Sequence, residues 1–227
     1  MNEARILTVG DSALVVELGK GQDLDASVNA RAVAIAAAVQ AAGIAGVLDV
    51  VPTFQTVGVY FDPLKTNVDA LAALLHSLAE SQTPVASPAV TVHRVPVCYG
   101  GVFGPDLAEI ATRAHLSEEA VVALHAEPIY RVFMLGFTPG FAYLGSVAPA
   151  IAFPRRATPR ATVPAGSVAI AGNQTGIYPS ASPGGWHIIG RTSVRPFDPG
   201  RTSPFLFNSG DSIQFHAIEP AAFEGRE

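Results

Sequence analysis

The segments FMLGFTPGFAYLG (133–145), PRRATPR (154–160), VPAGSVAIAGNQTGIYP (163–179) and SPGGWHIIGRT (182–192) decide the fold of the second half of this 227-residue chain. Glycine and proline recur too often here for a helix to survive, since proline removes a donor and glycine loosens the backbone. What remains is a series of short apolar runs between tight turns. The predicted strands are 130–135, 141–144, 168–171, 186–190, 193–197 and 212–218. Many short strands joined by Gly/Pro turns predict a barrel or a sandwich.

Upstream the texture differs. Arg5–Val9 and Ala13–Leu18 alternate around Gly10-Asp11 and predict a hairpin. Residues 25–42 place Val28, Ala32, Ile35 and Val39 on one helical stripe, and Val47–Val51 and Thr56–Phe61 read as a second strand pair. Asn67 suits the cap of a helix whose apolar face is Val68, Leu71, Leu75 and Leu78. The order ββ-α-ββ-α predicts a split antiparallel sheet with both helices on one face. The expected organisation is α+β: a small domain over 1–82, a linker over 83–90 within SQTPVASPA (81–89), and a strand-rich domain over 91–223. Within the second domain, Val90–Cys98 reads as a strand, Pro105 suits the first turn of a short helix through Ala111, and Ser117 caps another that Pro128 stops.

Composition bounds the function. The longest purely apolar run, Ala32 to Val39, is far short of the roughly 20 residues a membrane span needs. The opening MNEARILTVG lacks a signal-peptide layout, and Cys98, the one cysteine, permits no internal disulfide. A cytoplasmic protein is expected. The net charge is −5, yet Ile129–Phe215 holds seven arginines against Asp198 and Asp211, a local excess of +5 that leaves −10 on the remainder. A basic lobe in an acidic protein points to an anionic ligand or an acidic partner surface, or marks merely soluble strands. Nucleic acid is not expected, because aromatics are not interleaved with the arginines.

Missing motifs narrow the chemistry further. There is no G-x-x-x-x-G-K-[ST], and the only lysines are Lys20 and Lys65, so no Walker-type ATP site is encoded. G-x-S-x-G, S-x-x-K and H-E-x-x-H are all absent. The histidines (76, 93, 115, 125, 187 and 216) lack ligand spacing, and no metal is expected.

The candidate site residues lie in the opening segments. Prolines stiffen PRRATPR, so Arg155, Arg156 and Arg160 are presented at low entropic cost to grip a carboxylate or phosphate, or else decorate an edge strand. Gln174 offers an amide donor and acceptor suited to an amide or urea-like group, or it braces a turn; Tyr178 lies in the same AGNQTGIYP run. Gly184-Gly185 has the composition of an anion nest. Trp186 and Ile188 should share one strand face, with His187 and Ile189 on the other. Trp186 reads as core, and His187 as a catalytic base or a satisfied strand histidine. Arg191 is expected to serve the same anion as Arg156, so that the PRRATPR arginines and Gly184–Arg191 line one cleft. Tyr99-Gly100-Gly101 is a second anion site at a helix start, or a loop entering that helix. Phe137, Phe141 and Tyr143 pack the barrel or wall the site.

The same four segments, taken in order with CYGGVFGPDL (98–107), resemble the family that includes the 5-oxoprolinase B subunit, the Kip-type sporulation kinase inhibitor and the allophanate hydrolase subunit 1 domain of urea amidolyases. The resemblance implies a small N-terminal α+β domain and a C-terminal cyclophilin-like β-barrel. It further implies a larger companion, of the 5-oxoprolinase C-subunit or allophanate hydrolase subunit 2 type, that shares the active site, and leaves room for a third subunit. The family reaction it implies is ATP-dependent opening of 5-oxoproline to L-glutamate, with this chain inactive alone. In that reading Arg156, Gln174 and His187 are catalytic, while Arg155, Arg160, Tyr178, Gly184, Gly185 and Arg191 hold the substrate, a small anion or amide. The same resemblance admits a urea carboxylase or allophanate subunit, or an inhibitor docking on a histidine kinase.

Overall fold

The computed structural model describes residues 4–19, 24–81 and 91–224, and the chain forms two compact units, Met1–Val90 and Thr91–Glu227. The expected linker at 83–90 lies outside the described residues.

The first unit runs β1 (Arg5–Val9), β2 (Ala13–Glu17), α1 (Ala26–Ala41), β3 (Val47–Pro52), β4 (Thr56–Phe61) and α2 (Val68–Glu80). Two hairpins lie side by side as an antiparallel sheet of order β1-β2-β4-β3. Period-two alternation sends Leu14 and Val16 of β2 and Val57, Val59 and Phe61 of β4 into one core with Ile35, Val39, Leu71 and Leu75 of the helices. Each helix starts on a side-chain cap: the Asp25 carboxylate accepts from the Ser27 and Val28 amides, and Asn67 Oδ1 accepts from the Ala70 amide at 3.0 Å.

The second unit carries β5 (Val92–Tyr99), α3 (Leu107–Ala114), α4 (Glu118–Ala126), β6 (Ile129–Leu135), β7 (Ala142–Gly145), β8 (Arg160–Val163), β9 (Ser167–Ala171), β10 (Gln174–Ile177), β11 (Ser182–Gly184), β12 (His187–Arg191), β13 (Ser212–Ala217) and α5 (Pro220–Glu224). Seven strands close a barrel in the order β10-β7-β6-β13-β5-β12-β9, and β11 and β8 pair beside it. The barrel is antiparallel except where β13 runs parallel to β5. Alternate residues of one strand enter different cores. Val168, Ile170 and Ile189 join the larger core, fed by all seven barrel strands with α3 and α4, while Ala169, Ala171, Trp186 and Ile188 join Phe141 and Tyr178 in a smaller one. Closure leaves no barrel edge open to stray pairing.

Three expectations about the elements need revision. Residues 193–197 form no strand: Phe197 makes only an isolated bridge to Phe205, and Pro196 cannot donate to a ladder. Helix α3 starts at Leu107, with Pro105 just outside it. β8, β10 and β11 were not expected, because each contains or adjoins glycine or proline and all are four residues or shorter.

One polar node is sealed inside the larger core. The Tyr99 hydroxyl lies 2.8 Å from His125 Nδ1, and His125 Nε2 lies 2.8 Å from Thr175 Oγ1. Since Thr175 donates its own proton to the Ala169 carbonyl at 3.0 Å, it accepts from Nε2–H, and Nδ1 accepts from Tyr99. Burial lowers the His125 pKa to about 3, so the ring is neutral at pH 7 and fully bonded.

Candidate functional site

Asp106 is the centre of a polar cluster assembled from three distant stretches of sequence. The Gly100-Gly101 turn brings it there: both glycines have positive φ, and the Gly100 and Asp106 amides donate to the Ile189 and Ile188 carbonyls of β12 at 3.1 and 2.9 Å. Gly104 lies so close beneath the Ile189 carbonyl that any Cβ would overlap it. Asp106 precedes α3 in the N-cap position but makes no side-chain cap. Its carboxylate instead accepts from the Ile188 amide at 2.7 Å, from Arg160 Nη2 at 2.6 Å and from Arg156 Nη1 at 3.2 Å. A carboxylate this deeply buried requires such partners. The segment after Phe153 delivers Arg156, anchored where its amide donates to the Gly185 carbonyl at 2.8 Å, and the start of β8 delivers Arg160.

His187 opens β12 and turns toward the same cluster. It is 4% exposed and meets the Phe153 ring edge-on at 4.6 Å, while Arg113 of α3 covers Phe153 from 4.5 Å. Burial lowers its pKa and outweighs Asp106 and Glu109, which raise it. Its Nδ1 has no hydrogen-bond partner among the described residues and faces Glu109 Oε2 at 3.8 Å. Arg156 Nε and Arg160 Nη1 are likewise buried without partners among the described residues. The ligand atoms of Asp106, Glu109 and His187 lie within 4.8 Å of one another, an arrangement the histidine spacing did not anticipate. Two guanidiniums already neutralise Asp106, which opposes a third cation beside it.

Arg155, Tyr178 and Gln174 lie outside the Asp106 cluster in the same unit: Arg155 is exposed, Gln174 half-buried and Tyr178 enclosed in the smaller core. Phe141 packs edge-on against Tyr178 and Trp186, and Tyr143 against Trp186, with the Arg155 guanidinium 6.0 Å from the Trp186 ring. Burial raises the Tyr178 pKa, opposed by a hydrogen bond from the Trp186 backbone and by the charges of Arg155 and Arg160. Gln174 sits in strand β10 rather than a turn, opposite Gly145 and Ala171, and its Nε2 is buried without a partner among the described residues. Phe137 holds a φ of 66° and is 62% exposed, so it forms an exposed wall and not core.

The expectation of a single cleft running to Arg191 is corrected. Arg191 Nε donates to the Ala165 carbonyl at 3.0 Å, and its guanidinium lies 5.9 Å from the Phe223 ring. Gly184 lies extended in β11 against the Tyr178 ring, and neither it nor Gly185 has the positive φ a nest requires. At Gly100-Gly101 the amides are used internally, since Phe103 and Gly104 donate to the Gly100 carbonyl; this is a loop entering a helix. Asp106 and Glu109 were missed. An aspartate beside a helix start reads as a cap, and its arginine partners are 50 and 54 residues away.

Comparison with known proteins gives the lineage. The family model of the carboxyltransferase domain, subdomains C and D, matches residues 4–207. The 5-oxoprolinase B subunit of Bacillus subtilis (strain 168) is 37% identical over 224 residues, 94% of this chain and 92% of that protein. The 5-oxoprolinase B subunit of Escherichia coli O157:H7 is 41% identical over 216 residues, 95% of this chain and 96% of that protein. The crystal structure of TTHA0988 superposes with a TM-score of 0.81 at 42% identity; it matches 91% of this chain, which spans only 40% of that longer one. The Kluyveromyces lactis urea carboxylase, at 18% identity and a TM-score of 0.75 over 98% of this chain and 22% of that one, shows the fold alone. By sequence over nearly its whole length, this chain belongs to the carboxyltransferase C/D-subdomain family that contains the B subunits of 5-oxoprolinase.

Proposed function

We propose that the chain is the B subunit of an ATP-dependent 5-oxoprolinase, which opens the lactam of 5-oxoproline to L-glutamate while ATP is cleaved to ADP and phosphate. The observation that carries this reading is its identity of 37% and 41% to two 5-oxoprolinase B subunits across almost their full lengths. The chemistry of the Asp106 cluster suits it. A lactam carbonyl is a poor electrophile until its oxygen is phosphorylated, after which water adds and the C–N bond breaks. Arg156 and Arg160 offer charged donors for a carboxylate or a phosphorylated intermediate, and His187 is a buried base at the same place. To the lactam amide we assign Gln174, whose Nε2 is buried without a partner among the described residues.

Catalysis is assigned to an assembly. The chain has no Walker loop, and both its lysines precede residue 91, so ATP binding and the remaining proton transfers fall to a larger companion of the C-subunit type, with or without a third subunit. The test is glutamate release from 5-oxoproline and ATP by the chain alone and with its companions, urea serving as the alternative substrate. Release only by the assembly, and only from 5-oxoproline, supports the reading. Release by the isolated chain at the full rate, or turnover of urea instead, overturns it.

A further inference from the structure

We infer that the Asp106 cluster binds a small molecule presenting an anionic oxygen group and one N–H donor on the same edge, the anion seated on Arg156 and Arg160 and the N–H held between His187 Nδ1 and the Glu109 carboxylate. This deepens the reading above and rests on it for the identity of the molecule, but the donor and acceptor count stands by itself. Arg156 and Arg160 each reach Asp106 through one nitrogen, yet Arg156 Nε and Arg160 Nη1 are buried with no acceptor among the described residues. Native proteins leave few such groups unmatched. These two donors call for an oxygen-rich anion, since a carboxylate takes a guanidinium edge with two parallel bonds.

The acceptor half is on the other side of Asp106. His187 Nδ1 is buried without a partner among the described residues, and in the Nε2–H tautomer of the neutral ring it carries a lone pair. That lone pair faces the Glu109 carboxylate across 3.8 Å. In that tautomer the two acceptors make no bond with each other, and a ligand N–H within reach of both would satisfy them. Glu109 is half-exposed on the first turn of α3, so a ligand can reach the gap from its side.

Few ligands satisfy both halves. A simple anion fills the guanidinium edges and leaves His187 and Glu109 facing each other. A divalent cation suits Asp106, Glu109 and His187 but is repelled by the two guanidiniums on Asp106. An acid whose amide nitrogen adjoins the carboxylate-bearing carbon matches all four groups at once. 5-Oxoproline has this edge, its ring N–H and carboxylate sharing one carbon. Held this way, its lactam carbonyl oxygen is left clear of this chain's arginines and free for activation by the companion protein.

The experiment uses the full chain, alone and with its companions, and follows the His187 ring nitrogens by 15N NMR during titration with 5-oxoproline, N-methyl-5-oxoproline and 2-pyrrolidinone. The expected result is a shift of Nδ1 with 5-oxoproline, and binding weaker by about tenfold or more for each analogue, one lacking the N–H and the other the carboxylate. Glu109→Gln should erase much of the discrimination against the N-methyl compound while leaving that against 2-pyrrolidinone. Equal affinities for the three compounds, or bound 5-oxoproline with an unmoved Nδ1, overturn the inference. So does Mg2+ or Zn2+ alone binding stoichiometrically at His187, or the absence of binding by either preparation. If the chain prefers the N–H-bearing acid but the assembly fails to hydrolyse it, the site stands and the 5-oxoprolinase reading falls. If hydrolysis is normal in Glu109→Gln and His187→Asn, the reverse holds.

Discussion

Two histidines of the barrel unit are almost equally buried and chemically opposite. His125 is fully enclosed, accepts from Tyr99, donates to Thr175 and lies stacked on Phe215 at 4.7 Å. His187 has an edge-on Phe153 and, among the described residues, an unpartnered Nδ1 that looks across 3.8 Å at a carboxylate. Burial depresses both rings' affinity for a proton. The difference lies in whether the buried nitrogens are already bonded. A satisfied polar node specifies packing; an unsatisfied one offers its donors and acceptors to a ligand.

That contrast can be broken in several places. The largest expected effect is at Asp106, which belongs to both worlds because it is satisfied by the chain's own arginines. Asp106→Ala leaves two guanidiniums and the Ile188 amide without their acceptor and should cost about 3–5 kcal/mol of unfolding free energy in denaturant titration. His125→Leu comes next. It keeps the bulk but strips the Tyr99 hydroxyl of its acceptor, for an expected loss of about 2–3 kcal/mol, with turnover per folded molecule retained.

Acid titration sharpens the same point. His125 is neutral in the fold with a pKa of about 3, against an ordinary 6.5. Below pH 6.5 the unfolded chain takes up a proton that the native ring refuses, so the contribution present above that pH is lost as pH falls. Its slope should approach about 1.4 kcal/mol per pH unit until the native ring itself titrates. In His125→Leu this component should vanish from the stability profile measured between pH 6.5 and pH 3. A wild-type slope in the variant would mean that another group governs the acid response. The smallest effect belongs to Arg191, which bonds the Ala165 carbonyl and lies over Phe223. Arg191→Lys should change stability by less than about 1 kcal/mol and leave turnover intact, whereas Arg160→Lys keeps the charge but not the separate nitrogens that bond Asp106 and face the ligand, and should impair turnover.

Much of this architecture was legible because it is local. Asn67 and Ser117 cap their helices through amides three residues on, and the alternation around Trp186 and His187 is an intrinsic property of a strand. The Gly10-Asp11 hairpin is likewise written in adjacent residues. The failures are non-local or short. β10 was hidden because Gln174 and Gly176 look like turn residues, although the ladders from β7 and β9 make them a strand. No spacing rule says that within PRRATPR Arg156 and Arg160 would close on Asp106 while Arg155 turns to Trp186. The one-cleft expectation failed at Arg191 for the same reason, since strand direction does not fix where a long, flexible side chain ends.

The most direct test of the account compares His187→Asn and His125→Leu in the same assembled enzyme, measuring unfolding free energy and kcat/KM for 5-oxoproline in parallel. The account predicts that His187→Asn loses about tenfold or more in kcat/KM at a stability cost below about 1 kcal/mol, with His125→Leu showing the opposite pattern. Wild-type turnover in His187→Asn, or loss of turnover without loss of stability in His125→Leu, would contradict it.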